Sequence, residues 1–312
     1  MPSTRLTIAY VGVGLMGGPM VAHLLARGHA VHAFDISDRR LAEAGRAGAI
    51  CTTSPAEALE GADLVALNLP TPAAVEASVF GAGGVCEAIL PPQCVVDFST
   101  IEVERCRAFA TRLAAQTGCI WIDAPVSGGP PAAANGTLAV MAGGSADAIT
   151  RCSAMFEDIC AAFTRVGPTG SGLAAKMVSQ LMVSCLYAVL AEGAKLAEQA
   201  GIETARIPSC IAGGHADGVL LRQIFPRMAE RDFAPRAYTR QLVKDMHMVK
   251  ELADAAGSPT PMMDEALRLY DRFVALGGAE LDTSAILKLY DHDAAKLRVR
   301  VSPAPCDEGI SE

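Results

Sequence analysis

The alternation of short aliphatic runs with helical segments through the first 124 residues constrains the fold of this chain more than any other feature. LTIAYVG (6–12), HAVHAF (29–34), ADLVALNLP (62–70), QCVVDFST (93–100) and GCIWIDAP (118–125) are short, aliphatic and bounded by turn-forming residues, as strands are. Between them, MGGPMVAHLLARG, SDRRLAEAGRAG, PAEALEG, PAAVEASVFG and EVERCRAFATRLAAQTG carry apolar residues at helical spacing. Strand and helix in strict turn predict a parallel sheet covered on both faces, a doubly wound α/β domain of Rossmann type. A Gly/Pro-rich loop, PVSGGPPAAANG (125–136), then leads to the strand TLAVMAGG, a helix from about Ala146 to Asp158 and a last strand in AAFTRVG.

The pattern changes at Gly170, after which no strand is expected. Leu173 to Ala200 contains no proline and one glycine and predicts a long, largely buried helix. The segments 204–214, 217–232, 238–257, 259–278 and 283–290 read as further helices, so the second domain is expected to be all-helical. The expected organisation is a cofactor-binding domain at 1–168, a helical substrate and dimerisation domain at 169–300, and a disordered tail at 301–312 (VSPAPCDEGISE).

With 312 residues, 51% of them hydrophobic, the chain can bury a large core. A net charge of −8 without a basic block excludes nucleic acid as a main partner and points to a small molecule. Ten scattered cysteines, with no CxxC pair and no nearby histidines, read as reduced thiols of a cytoplasmic protein, and the six histidines form no metal-like spacing. The first residues run into a strand with no signal-peptide pattern, and Lys176, Gln180, Glu192 and Lys195 interrupt the long helix too often for a membrane span.

Gly12-Val13-Gly14-Leu15-Met16-Gly17 is a GxGxxG set between a strand and a helix. Gly12 permits the tight turn, Gly14 lets backbone approach a pyrophosphate, Gly17 lets helix pack on strand, and the helix start attracts the anion. Asp35, 18 residues past Gly17, ends the second strand, where a carboxylate accepts from the ribose hydroxyls of NAD and repels a 2′-phosphate. Arg39 and Arg40 follow closely, so NAD is preferred and NADP stays open.

Five stretches in order, GVGLMGGPMVAHL (12–24), DFST (97–100), DAPVSGG (123–129), GSGLAAKMVSQ (170–180) and VKDMHMV (243–249), resemble the signatures of the β-hydroxyacid dehydrogenases. The resemblance runs from about Leu6 to Tyr290. It implies hydride transfer between NAD(P) and a small β-hydroxy acid or its semialdehyde, as in 3-hydroxyisobutyrate dehydrogenase. GGHADG and PRMAERDFAPR resemble instead the tartronate semialdehyde (2-hydroxy-3-oxopropionate) reductases, the alternative. By the same resemblance Lys176 is the catalytic lysine; Ser127, Gly128 and Gly129 bind the substrate carboxylate; Leu69, Pro70 and Thr100 line the nicotinamide; and Lys244 reaches cofactor and substrate from the K-D motif. Gln180 falls where the family has Asn or Gln, and Ser179 replaces a usual Asn or His. His23 stands where Asn is frequent, and His215 where an aromatic is.

A lysine exchanges a proton near neutral pH only if its pKa is lowered. Desolvation and a second cation, Lys244, are expected to do this to Lys176, and Gln180, one turn on, shares its helix face. No metal is required. An imine reductase is less well matched, since those relatives usually lack the lysine, and a non-catalytic dinucleotide-binding module is the remaining class. A homodimer or homotetramer is expected from the apolar surface of the helical domain.

Overall fold

The computed structural model describes residues 5–292, so the expected tail at 301–312 lies outside the described residues. Nine strands form one sheet: β1 (Thr7–Val11), β2 (Ala30–Phe34), β3 (Ile50–Cys51), β4 (Leu64–Leu67), β5 (Cys94–Asp97), β6 (Ile120–Asp123), β7 (Val126–Ser127), β8 (Leu138–Gly143) and β9 (Cys160–Gly167). Their order is β3-β2-β1-β4-β5-β6-β8-β7, with β9 against β8. All pairs from β3 to β6 are parallel, while β8 runs antiparallel to β6 and β7. The expected parallel sheet is therefore mostly parallel. The reversal follows from the short link between β7 and β8, since a parallel return requires a longer crossover.

The sheet is flanked by α1 (Gly17–Ala26), α2 (Asp38–Arg46), α3 (Pro55–Ala58), α4 (Pro72–Phe80), α5 (Val103–Thr117), α6 (Gly129–Asn135), α7 (Ala146–Arg151) and α8 (Ser153–Ile159). Alternate residues of β1 enter opposite cores: Ile8 and Tyr10 pack with Met20, Leu24 and Phe156, and Ala9 and Val11 with Val75, Phe109 and Trp121. That is the doubly covered sheet the aliphatic runs predict. Two details differ from expectation. The helix expected from Ala146 to Asp158 breaks at Cys152 into α7 and α8, and the Gly/Pro-rich loop contains α6, opened by prolines in its first turn.

The remaining elements are helical: α9 (Ser171–Gln199), α10 (Ile207–Cys210), α11 (Val219–Glu230), α12 (Thr239–Ala255), α13 (Pro261–Ala275) and α14 (Lys288–His292), with short 3₁₀ turns between them. α9 is the axis of this half. Its Met177, Ala188, Ala191 and Ala194 pack with Phe225, Met228, Met246 and Tyr270. The expectation of a largely buried helix holds for one face only, because Val178, Met182, Leu186 and Val189 are each about half exposed. Alanines occupy the packed side, where they admit close helix neighbours, and the larger aliphatic residues point out.

One carboxylate seats α9 on the sheet. Asp123, at the end of β6 and fully buried, accepts the Gly170 N–H at 2.7 Å and the Leu173 N–H at 2.9 Å. These are otherwise unpaired donors at a helix start, and Gly170, with φ of 91°, makes the turn into it. The fit leaves no room for a side chain: a Cβ on Gly172 would lie 2.3 Å from the Met141 carbonyl oxygen and 2.9 Å from Asp123 Oδ2.

Candidate active site

At the dinucleotide end the glycines do what their spacing predicts. Gly12 has φ of 95°, and a Cβ there would lie 2.4 Å from the Asn68 carbonyl oxygen; one on Gly17 would lie 2.0 Å from the Gly12 oxygen. A Cβ on Gly14 would meet only the Arg40 guanidinium, at 3.3 Å, so this residue presents bare backbone with a cation beside it. No side chain caps α1, so its start is open to an anion, with the Gly18 N–H already donating to the Gly14 carbonyl at 2.9 Å. Asp35 lies just past β2 and accepts from the N–H groups of Val13 (2.9 Å) and Ser37 (2.8 Å), which ties the glycine turn to the carboxylate. Arg39 is turned away into an ion pair with Glu43. These residues fit a pyrophosphate and its adjoining ribose.

The C-terminal ends of β4, β5 and β6 lead into the loops that meet α9 and α12, the usual place for a ligand on such a sheet. Leu69 is held by its N–H, which donates to Ser99 Oγ at 2.9 Å. Lys244, on α12, crosses from the helical half: its Nζ donates to the Thr100 carbonyl at 2.7 Å and lies 3.4 Å from that of Pro70. One ammonium thus gathers the two loops that the resemblance assigns to the nicotinamide.

Lys176, on α9, is buried and donates to the Val126 carbonyl at 2.8 Å, immediately before Ser127. Burial lowers its pKa and Lys244 lowers it further, while Asp245 acts in the opposite sense. Ser127 is half-buried, and Gly128 and Gly129 both have positive φ, at 128° and 71°, which turns this stretch sharply into α6. Gln180 is also buried, and its Nε2 donates to Asp245 Oδ2 at 2.8 Å. The other Asp245 oxygen lies 3.2 Å from Lys244 Nζ. Lys176, Gln180, Lys244 and Ser127 therefore meet in one place, with Asp245 joining two of them.

Sequence reasoning gave no role to Asp97, Ser99 or Asp123. Asp97 and Asp123 sit side by side in register on β5 and β6, both fully buried. Burial pushes Asp97 up to about 7 and Asp123 to about 6. Asp97 Oδ1 accepts the Ser99 N–H at 2.9 Å, so it braces the residue that holds Leu69. The signal was present: two strands each ending in an aspartate inside an otherwise apolar run. Ile36, 95% exposed next to Asp35, is a second omission, an apolar side chain left bare beside that carboxylate. His23 proves to be a brace, with its ring nitrogens 3.0 Å from the carbonyls of Ala134 and Asp158, and His215 is exposed in a turn. Among the described residues no three His, Cys, Asp or Glu side chains cluster as metal ligands.

Residues 7–167 match the NAD-binding domain of 6-phosphogluconate dehydrogenase, and residues 170–290 match the NAD-binding domain of NADP-dependent 3-hydroxyisobutyrate dehydrogenase. Fold and both matches define an NAD(P)-dependent 3-hydroxyacid dehydrogenase. The chain is 32% identical over 291 residues to the NAD-dependent L-serine dehydrogenase of Pseudomonas aeruginosa, covering 91% of this chain and 97% of the relative. It is 30% identical over 286 residues to the 2-hydroxy-3-oxopropionate reductase of Escherichia coli, covering 91% and 96%. A solved structure of 3-hydroxyisobutyrate dehydrogenase from Mycobacterium tuberculosis with L-serine superposes with a TM-score of 0.80 at 29% identity, covering 92% of this chain and 99% of that one. The chain belongs to the β-hydroxyacid dehydrogenase family.

Proposed function

We propose that this enzyme interconverts a three- or four-carbon 3-hydroxy acid and its semialdehyde, with Lys176 as the proton-transfer residue. The observation that carries the reading is a buried amine, one hydrogen bond from the Ser127 loop, on a face shared with Gln180 and near Lys244. Bound NAD(P) supplies the hydride acceptor for oxidation and the donor for reduction. Ser127 Oγ and the N–H groups of Gly128 and Gly129 hold the substrate carboxylate, and Lys244 adds a cation. Neutral Lys176 takes the proton from the carbinol oxygen as its carbon loses hydride; in reduction the ammonium returns it. The sheet domain to residue 168 carries the cofactor, and the helical domain from 169 closes the substrate side. The relatives' names make 3-hydroxyisobutyrate, serine and tartronate semialdehyde the first substrates to test. Absorbance at 340 nm with a panel of these compounds and both cofactors tests the reading, and a flat trace across the panel refutes it.

NAD is the proposed cofactor. Asp35, fixed by two backbone donors beside the glycine turn, is placed to accept from a ribose diol and repels a 2′-phosphate, although Arg40 stands near Gly14. Asp35→Ala should raise the ratio of kcat/KM for NADP to that for NAD at least tenfold; an unchanged ratio removes Asp35 from cofactor choice. The free thiols of the nine described cysteines support a cytoplasmic location. The exposed stripe Val178, Met182, Leu186 and Val189 on α9 supports a homo-oligomer built on this helix. Met182→Glu should lower the mass measured by light scattering, and an unchanged mass places the subunit contact elsewhere.

A further inference from the structure

By its place beside Lys176, Gln180 is a substrate-binding residue, and its hydrogen bond fixes which end of the amide a substrate meets. Its partner, Asp245, is a carboxylate, and an ionised carboxylate only accepts. The amide nitrogen must therefore face Asp245, which turns the carbonyl Oε1 away from it. Gln180 and Lys176 are four residues apart on α9 and lie on one side of the helix. The groups assigned above to the substrate are otherwise donors or proton carriers: the Lys176 amine, the Lys244 ammonium, the Ser127 hydroxyl and the N–H groups of Gly128 and Gly129. Gln180 Oε1, on the side of the amide away from Asp245, is an acceptor on the helix face that carries the Lys176 amine.

A carboxylate and a carbinol oxygen suit those donors and the amine, but neither supplies a donor to Oε1 once the carbinol proton is directed at Lys176. We infer that Gln180, held in this orientation by Asp245, selects 3-hydroxy acids that carry a hydrogen-bond donor, a hydroxyl or an ammonium, on the carbon next to the carboxylate. This inference rests on the dehydrogenase reading and narrows it. Glycerate-type and serine-type acids satisfy Oε1. A 2-methyl acid such as 3-hydroxyisobutyrate places a methyl against it and leaves that acceptor unpaired, and sites built to pair a polar group discriminate against analogues lacking it. Asp245 is a positioning residue in this arrangement, because it acts through the amide it orients.

The test is the ratio of kcat/KM for glycerate, and separately for L-serine, to that for 3-hydroxyisobutyrate, with NADH binding followed by fluorescence to show that each variant is folded. In the wild type at least one of the two ratios should exceed about ten. Gln180→Met, similar in length but without the acceptor, should bring that ratio down at least tenfold. Asp245→Asn, which can present its own N–H₂ to Gln180 and so release the amide to turn, should lower the same ratio. A wild type that favours the 2-methyl acid overturns the inference, as do variants that lose activity equally toward all three acids. No NADH from any acid overturns the dehydrogenase reading and this inference with it; turnover without the ratio overturns this inference alone.

Discussion

Lys176→Met should lower kcat about a thousandfold in both directions while NADH binds within about twofold of wild type, the loss ordinary for removing a positioned general acid–base. The side chain stays long and apolar enough to fill its place on α9, so the change is chemical rather than structural. Lys176→Arg should fail as well, because a guanidinium does not deprotonate in proteins. The pH profile gives an independent check. Burial is the largest cause of the lowered pKa of Lys176; Asp245 opposes it, and Lys244 adds a smaller push in the same direction as burial. The neutral amine that oxidation requires therefore appears below the range of a free lysine. Oxidation should rise with pH through that lowered pKa, and reduction, which needs the ammonium, should fall through it. Wild-type-like turnover in Lys176→Met would end the assignment.

Gly172→Ala is expected to be the most damaging change on α9 away from the chemistry. The added Cβ would stand 2.3 Å from the Met141 carbonyl oxygen, 2.8 Å from that of Asp123 and 2.9 Å from Asp123 Oδ2. Two of these atoms are sheet backbone and the third is a buried carboxylate, so none can yield. The first turn of α9 would have to lift, breaking the Asp123 bonds to Gly170 and Leu173. Forced overpacking costs about 1–3 kcal/mol, and a buried carboxylate stripped of its donors adds to that. Lys176 sits one turn further on, so kcat/KM should fall with the melting temperature. Gly193 on the same helix is the control: a Cβ there meets only the Phe225 ring, at an ordinary 3.6 Å. Gly193→Ala should leave stability equal or raise it by about 0.5–1 kcal/mol, the helix preference of Ala over Gly. Equal melting curves for the two variants would refute the account of how α9 is seated.

Most of the sheet was legible because its strands are apolar runs with turn residues at both ends, and the glycine turn was legible because each glycine has a separate geometric reason. Two-residue strands such as β3 and β7 escaped, since Ile50–Cys51 and Val126–Ser127 are too short to carry a period. α6 was hidden by its own prolines and glycines, which read as loop until the first turn is seen to place them where they do no harm. The half-exposed face of α9 was not readable from hydrophobicity alone, because the outward aliphatic residues look like core. At the candidate site, Lys176, Gln180 and Lys244 were expected from their motifs and the helical spacing of the first two, and the structure brings them together. The bond between Gln180 and Asp245 was not, since it joins residues 65 apart whose meeting depends on how two helices pack.

The helices that point their starts at the cleft are treated in opposite ways. The positive end of α1 has no side chain over it, whereas that of α9 is stoppered by Asp123. Of the two helix starts, α1 is therefore left open to an anion and α9 is already filled. Lys176, one turn further along α9, thus follows a helix start whose first donors are already taken by a carboxylate of the protein itself, which leaves nothing there to draw a second anion.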